Sequence, residues 1–300
     1  METIILPQEV DKENIREVVI AFRKYVNSPD NDKELKIDMT KINFIKPSGI
    51  IALNNIIQWV KKHEGISGSF LVSLGDEHVP GNRKAMEYLE DCGFFTSLGY
   101  ENTFKLPCTR KTMLRVKSVG TDKVEQWKMT DFKIWLQQQT GRRNEFSAIC
   151  VAIDEIFNNI SDHSQEKIGS IFGQYYPSRQ EIIIAVSDFG IGIPQSIRNK
   201  FGTKKSDNEL IEFALKEGNS TQSVPQNRGA GLPNIMRTVT SSGIGEFTII
   251  SNCGIVRVLN NKIENSLVLE ESYPGTFFEI KIDTSNENLY DQDEEEEFEW

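Results

Sequence analysis

Residues 145–194 carry the pattern that most restricts how this chain can fold. Phe146, Ile149, Cys150, Ile153, Ile156, Phe157 and Ile160 recur at helical spacing and make one apolar stripe. Glu155, Asn159 and His163 are four apart and align on the opposite face. Strands follow at 168–174 and 180–187, joined through Pro177-Ser178. The second is apolar from Ile182 to Val186 and runs into Asp188-Phe189-Gly190-Ile191-Gly192. An acid and two glycines at a strand end let backbone approach a flat ligand, or simply form a turn. The helix, taken alone, fits either a solvated polar back or a row of functional groups.

The rest of the chain narrows the context. Its 300 residues favour two domains. The apolar fraction of 38% supplies material for two cores. No apolar run reaches the roughly 20 residues that span a bilayer. The first residues lack a basic stretch followed by an apolar one, so a cytoplasmic protein is expected. The four cysteines, Cys92, Cys108, Cys150 and Cys253, lie too far apart for a zinc signature and are expected to be reduced structural thiols. Nearly all of the net charge of −10 comes from nine acids after Ile282, with no Lys or Arg among them. The body is therefore close to neutral, and a nucleic-acid-binding face is not expected.

The N-terminal segment predicts helices near 10–27, 50–63 and 82–92, with strands at 35–39 and 70–74. Gly93 closes the third helix, and Ser28–Asp32 is a turn. This order fits a small α/β domain over residues 1–106, with a polar junction at 107–128 around Pro107. Beyond it, helices are expected at 129–139 and 231–241, a long polar and partly helical stretch at 195–228, and strands at 246–251, 255–259 and 276–282. The acidic segment 284–300 is expected to be a disordered tail, or a docking segment given Phe298 and Trp300 among the acids. Asn227-Arg228-Gly229-Ala230-Gly231-Leu232 opens a helix, and such a start presents backbone N–H groups to anions. Pro274-Gly275-Thr276 opens the last strand.

Taken in order, Glu155–His163, Asp188–Gly192, Asn227–Leu232 and Gly275-Thr276 resemble the GHKL superfamily of gyrase-like, Hsp90-like, histidine-kinase and MutL-like ATP-binding domains. The resemblance covers about 130–282 and implies an α/β sandwich with a mixed sheet over 129–283. It also implies the ligands ATP and Mg²⁺. Asp188 would accept from the adenine amino group, supported by Thr276. Gly190 and Gly192 would make room for the base. Asn159 would hold the metal, Gly229 and Gly231 would close on the phosphates, and Arg228 would either add a charge contact or stay at the surface. Glu155 would be the general base, as in the serine kinases and ATPases of this superfamily. His163 matches a position where anti-sigma-factor kinases often carry His, or it caps its helix.

Leu35–Thr40 followed by Phe44–Ile50 and a helix resembles a STAS domain, the anti-sigma-factor-antagonist fold. Ser48 matches the serine that is phosphorylated there, although Lys46-Pro47 departs from the usual acidic loop; the other reading is that Ser48 caps the helix. Neither of the other two histidines, His63 and His78, sits in a long dimerisation helix, so an autophosphorylating histidine kinase is not expected. The expectation is thus an ATP-dependent kinase or ATPase switch acting on a protein partner through the STAS-like module or the tail, with a homodimer also open. The other readings are an ATPase gating assembly in a bacterial stress or defence system, and a non-catalytic scaffold.

Overall fold

The computed structural model describes residues 3–28, 34–71, 80–100, 110–164, 166–216 and 231–290. The turn at 29–32, the strand end at 72–74, His78, Pro107, Cys108, Arg228, Gly229 and the acidic run 291–300 lie outside the described residues.

The N-terminal half is α/β. Strands β1 (Thr3–Ile5), β3 (Glu34–Asp38) and β5 (Ser67–Leu71) form a parallel sheet in the order β1-β3-β5. β2 (Glu9–Val10) and β4 (Phe44–Ile45) make a second, minimal parallel pair. Parallel neighbours need crossovers, and helices α1 (Ile15–Val26) and α2 (Pro47–His63) supply them. Helices α3 (Pro80–Asp91) and α4 (Phe94–Ser97) follow, with Gly93 between them at φ 83°. The predicted first helix starts five residues later than its apolar spacing suggested, because Val10 belongs to β2.

Ser48 does not cap α2. The N-cap position is Lys46, with Pro47 opening the helix, and Ser48 lies within the first turn at 1% exposure. Its Oγ accepts from the Lys12 backbone N–H at 3.2 Å. Beside it, a Cβ on Gly49 would overlap the Val10 carbonyl. The β2–β4 pair therefore presses directly on the start of this helix.

The C-terminal half is built on a five-stranded sheet in the order β6-β7-β8-β10-β9. The strands are β6 (Met113–Gly120), β7 (Ile168–Tyr176), β8 (Glu181–Ser187), β9 (Gly245–Leu259) and β10 (Lys262–Asp283). Every pairing is antiparallel, which corrects the expectation of a mixed sheet. Two hairpins fix much of this, one through Pro177–Arg179 and one through Asn260 and Asn261, both at positive φ. The segment expected as a junction contains strand β6. Its polar character comes from an edge position, where Arg115, Lys117 and Ser118 are exposed.

Helices α5 (Val124–Trp127) and α6 (Lys133–Thr140) flank a π-helical turn at Lys128–Phe132. They precede α7 (Ser147–His163), α8 (Ile193–Phe201), α9 (Asp207–Ala214) and α10 (Gly231–Thr240). On one face of the sheet, Ile149, Ile153, Ile156 and Ile160 of α7 share a core with Ile182, Ile184 and Val186 of β8 and with Leu232, Ile235 and Val239 of α10. On the other face, Val18, Val19 and Phe22 of α1 and most of α2 share a second core with Phe172, Ala185, Ile250, Tyr273 and Phe277. The sheet is therefore the middle layer, and the N-terminal helices cover its far side. That is why β8 is apolar without alternation: both of its faces are buried.

An ion cluster ties the halves together. Lys12 Nζ lies 2.7 Å from both Glu246 and Glu279, and Glu246 also takes Arg257 at 2.7 Å. Glu279 is only 5% exposed. Burial alone would lower the Lys12 ammonium, but the Glu279 and Glu246 carboxylates overcome it and raise it above 10.5. Burial pushes Glu246 up, and Arg257 and Lys12 bring it net below 4.5. Lys12→Met leaves a buried carboxylate without its cation, so a loss of about 3 kcal/mol in denaturant unfolding is expected. The Lys12 contribution is complete below pH 10.5 and lost as pH rises through its folded value. The Glu246 contribution is complete above 4.5 and lost as pH falls through its folded value. The mutant deficit should thus be full from about pH 5 to pH 10.

The packed chain continues past Asp283. Leu289 and Tyr290 are buried, and the Tyr290 ring meets Phe146 edge-on at 6.0 Å. Glu287 binds Arg142 with both carboxylate oxygens, at 2.6 and 2.9 Å. Residues 284–290, expected in the tail, are therefore part of the packed chain, because two apolar side chains anchor this stretch despite its polar neighbours.

Candidate functional site

Two segments distant in sequence meet along the α7–α10 seam. Glu155 and Asn159 stand on α7, half-buried, and face the start of α10. A Cβ on Gly231, the first residue of α10, would lie 3.6 Å from Glu155 Oε2 and 3.8 Å from Asn159 Nδ2. Asn234, one turn on, donates to Glu155 Oε1 at 3.3 Å. Asn159 Nδ2 donates to the Glu155 backbone carbonyl at 2.7 Å, which turns its Oδ1 away from that carbonyl. The polar stripe of α7 is thus a seam against a glycine-started helix rather than a solvated back.

The C-terminal end of α7 touches the loop after β8. The His163 carbonyl accepts from Ile191 N–H at 3.2 Å, and His163 Nδ1 lies 3.2 Å from Ser196 Oγ. Burial holds the His163 imidazole below its ordinary range. His163 therefore meets this loop through its carbonyl and α8 through its ring.

Asp188 sits at the end of β8, 5% exposed. Burial pushes its carboxyl up to about 7, against the backbone N–H groups of Gly190 and Thr276, which favour the ionised form. Its own N–H donates to the Thr276 carbonyl at 3.0 Å. The Thr276 hydroxyl pairs with Ser251 Oγ at 3.0 Å. Thr276 therefore supports Asp188 through its main chain, while its side chain belongs to a neighbouring network. Ser251 is the centre of that network. It accepts from Ile193 N–H at 2.9 Å and reaches the Gly275 carbonyl at 3.2 Å.

The glycines meet a packing demand. A Cβ on Gly190 would fall 2.6 Å from the His163 carbonyl oxygen, and one on Gly192 would fall 2.5 Å from Asn252 Oδ1. Gly192 and Gly275 also have φ of 84° and 82°, where a side chain is strained. On the Cβ side, Gly190 and Gly192 face the chain's own atoms. What these glycines permit is the close approach of α7, β8 and the 274–276 turn around Asp188.

The structure brings together Glu155, Asn159 and Gly231 in one group, and Asp188, Gly190, Gly192 and Thr276 in another, with α7 running between them. Arg228 and Gly229 lie outside the described residues, and Lys204 and Lys205 are exposed. A cleft of about 600 Å³ along β6, lined by Gly93, Arg115, Ser118 and Trp127 among others, contains none of these site residues. Sequence reasoning missed Asn234, Ser251 and Ser196, for which the sequence carries no local signal. It also missed Asn55, whose signal was present: two asparagines in the middle of an apolar helix. No family model matches the chain, and no curated protein matches it.

Proposed function

We propose that the C-terminal half is a GHKL-type Mg-ATP site and that the chain is an ATP-dependent switch, hydrolysing ATP or transferring phosphate to a protein partner. The observation that carries this reading is the contact between Glu155, Asn159 and the glycine start of α10, with the buried Asp188 carboxyl beyond the C-terminal end of α7. Asp188 would accept from the exocyclic amine of adenine. The N-terminus of α10 would face phosphate. The donor chemistry fits Mg²⁺: Asn159 Oδ1 is a hard oxygen suited to a hard cation. When bound, the metal would neutralise charge on the phosphates. Glu155, oriented by Asn234, would take the proton from an attacking hydroxyl at a carboxylate oxygen.

The burial of Ser48, together with its bond to Lys12, speaks against Ser48 of the same folded chain as the phosphate acceptor. It favours water or a residue of a partner protein. Calorimetric titration tests the site. Mg-ATP should bind the wild type, and Asn159→Ala should weaken binding by about tenfold in Mg²⁺ but not in EDTA. Equal losses with and without Mg²⁺ would remove Asn159 as the metal ligand. No binding by the wild type would remove the proposal.

A further inference from the structure

Asn55 lies in the middle of α2, among Ile50, Ile51, Ala52, Leu53, Ile56 and Ile57, and is fully buried. A primary amide in such a place is costly unless bonded. Its Nδ2 donates to the Asp188 carbonyl at 3.0 Å and to the Pro274 carbonyl at 3.1 Å. Those two carbonyls belong to the two segments that surround the Asp188 carboxyl. One is the end of β8, which carries the acid. The other is the turn that leads through Gly275 to the Thr276 N–H. The same segments are joined on the far side by Asp188 N–H to Thr276 O at 3.0 Å. The missing side chain of Gly275 is what lets the Asp188 carbonyl come so close. Tyr273, fully buried, has its hydroxyl 2.8 Å from Ser187 Oγ and interacts with Asn55 as well. One side chain of the N-terminal half therefore bridges the two strand ends that set the position of the acid.

We propose that Asn55 is a positioning residue for the nucleotide base. By holding the Asp188 and Pro274 carbonyls in register, it lets the N-terminal half set how well the C-terminal half reads the exocyclic amine of adenine. The inference rests on the reading of Asp188 as the base contact.

The test compares ATP with inosine triphosphate, which carries an oxygen where ATP carries the amine, on full-length wild type and Asn55→Leu. In Asn55→Leu the ATP affinity should fall about tenfold, while the inosine triphosphate affinity stays within about twofold. A purely structural role would weaken both nucleotides alike, and that result overturns the proposal. So does an unchanged ATP affinity. Absence of ATP binding by the wild type instead sinks the reading of the Asp188 site, and this inference with it. A measurement on the wild type covers the case of a variant that does not fold. Hydrogen exchange in peptides from residues 47–63 should slow on adding Mg-ATP, and unchanged exchange there overturns the coupling.

Discussion

Asp188→Asn is expected to weaken ATP binding by at least about 100-fold while leaving the unliganded fold no less stable at neutral pH. The two parts have one cause. In the folded chain, burial raises this carboxyl from 3.8 to about 7. The folded state therefore binds more protons than the unfolded state between those values. The Asp188 contribution is most favourable at low pH and declines as pH rises from 3.8 to about 7. Asparagine removes the ionisation, so the variant should match or exceed the wild type in thermal unfolding at pH 8 without ligand. It keeps an acceptor oxygen for the Gly190 and Thr276 N–H groups. It loses the charged acceptor for the adenine amine. In the wild type, ATP affinity should fall as pH drops below about 7, by about tenfold per unit once the carboxyl is mostly protonated. Calorimetry across this range checks both statements. Affinity in the variant within tenfold of wild type would remove Asp188 from the site.

Glu155→Ala should lower turnover by about 10²- to 10⁴-fold with ATP affinity nearly unchanged. The alanine also strips Asn234 of its partner, so Glu155→Gln is the cleaner comparison: its amide oxygen can still accept from Asn234 Nδ2. A base must take a proton, which the glutamine cannot do at neutral pH. Both variants should therefore fail together in a phosphate-release or phosphotransfer assay. Activity retained by Glu155→Gln would leave Glu155 a structural partner of α10 and move the base elsewhere.

Much of the site was legible before folding was considered. The stripe of α7, the apolar run of β8 and the acid with two glycines after it are local patterns, and each element lies close to where its periodicity put it. The long hairpin was harder. Only 246–251, 255–259 and 276–282 read as strand, because the intervening part of β10 leaves Leu267 and Val268 exposed and shifts register between Val268 and Thr276. Strand β6 was hidden by its edge position. The antiparallel arrangement was invisible because pairing direction depends on how the strands are connected, not on their residues.

The sequence by itself determined which side chains lie on a common face: Glu155 with Asn159 and His163, and Asp188 at the end of a strand buried on both sides. Hydrophobic spacing carries that information because a helix or strand repeats every few residues. Only the tertiary structure decided what those faces meet. It set Gly231 and Asn234 against Glu155, Lys12 against Glu246 and Glu279, and Asn55 against a carbonyl 133 positions away. Such contacts depend on how layers stack across a shared sheet, and no local period of the chain records that.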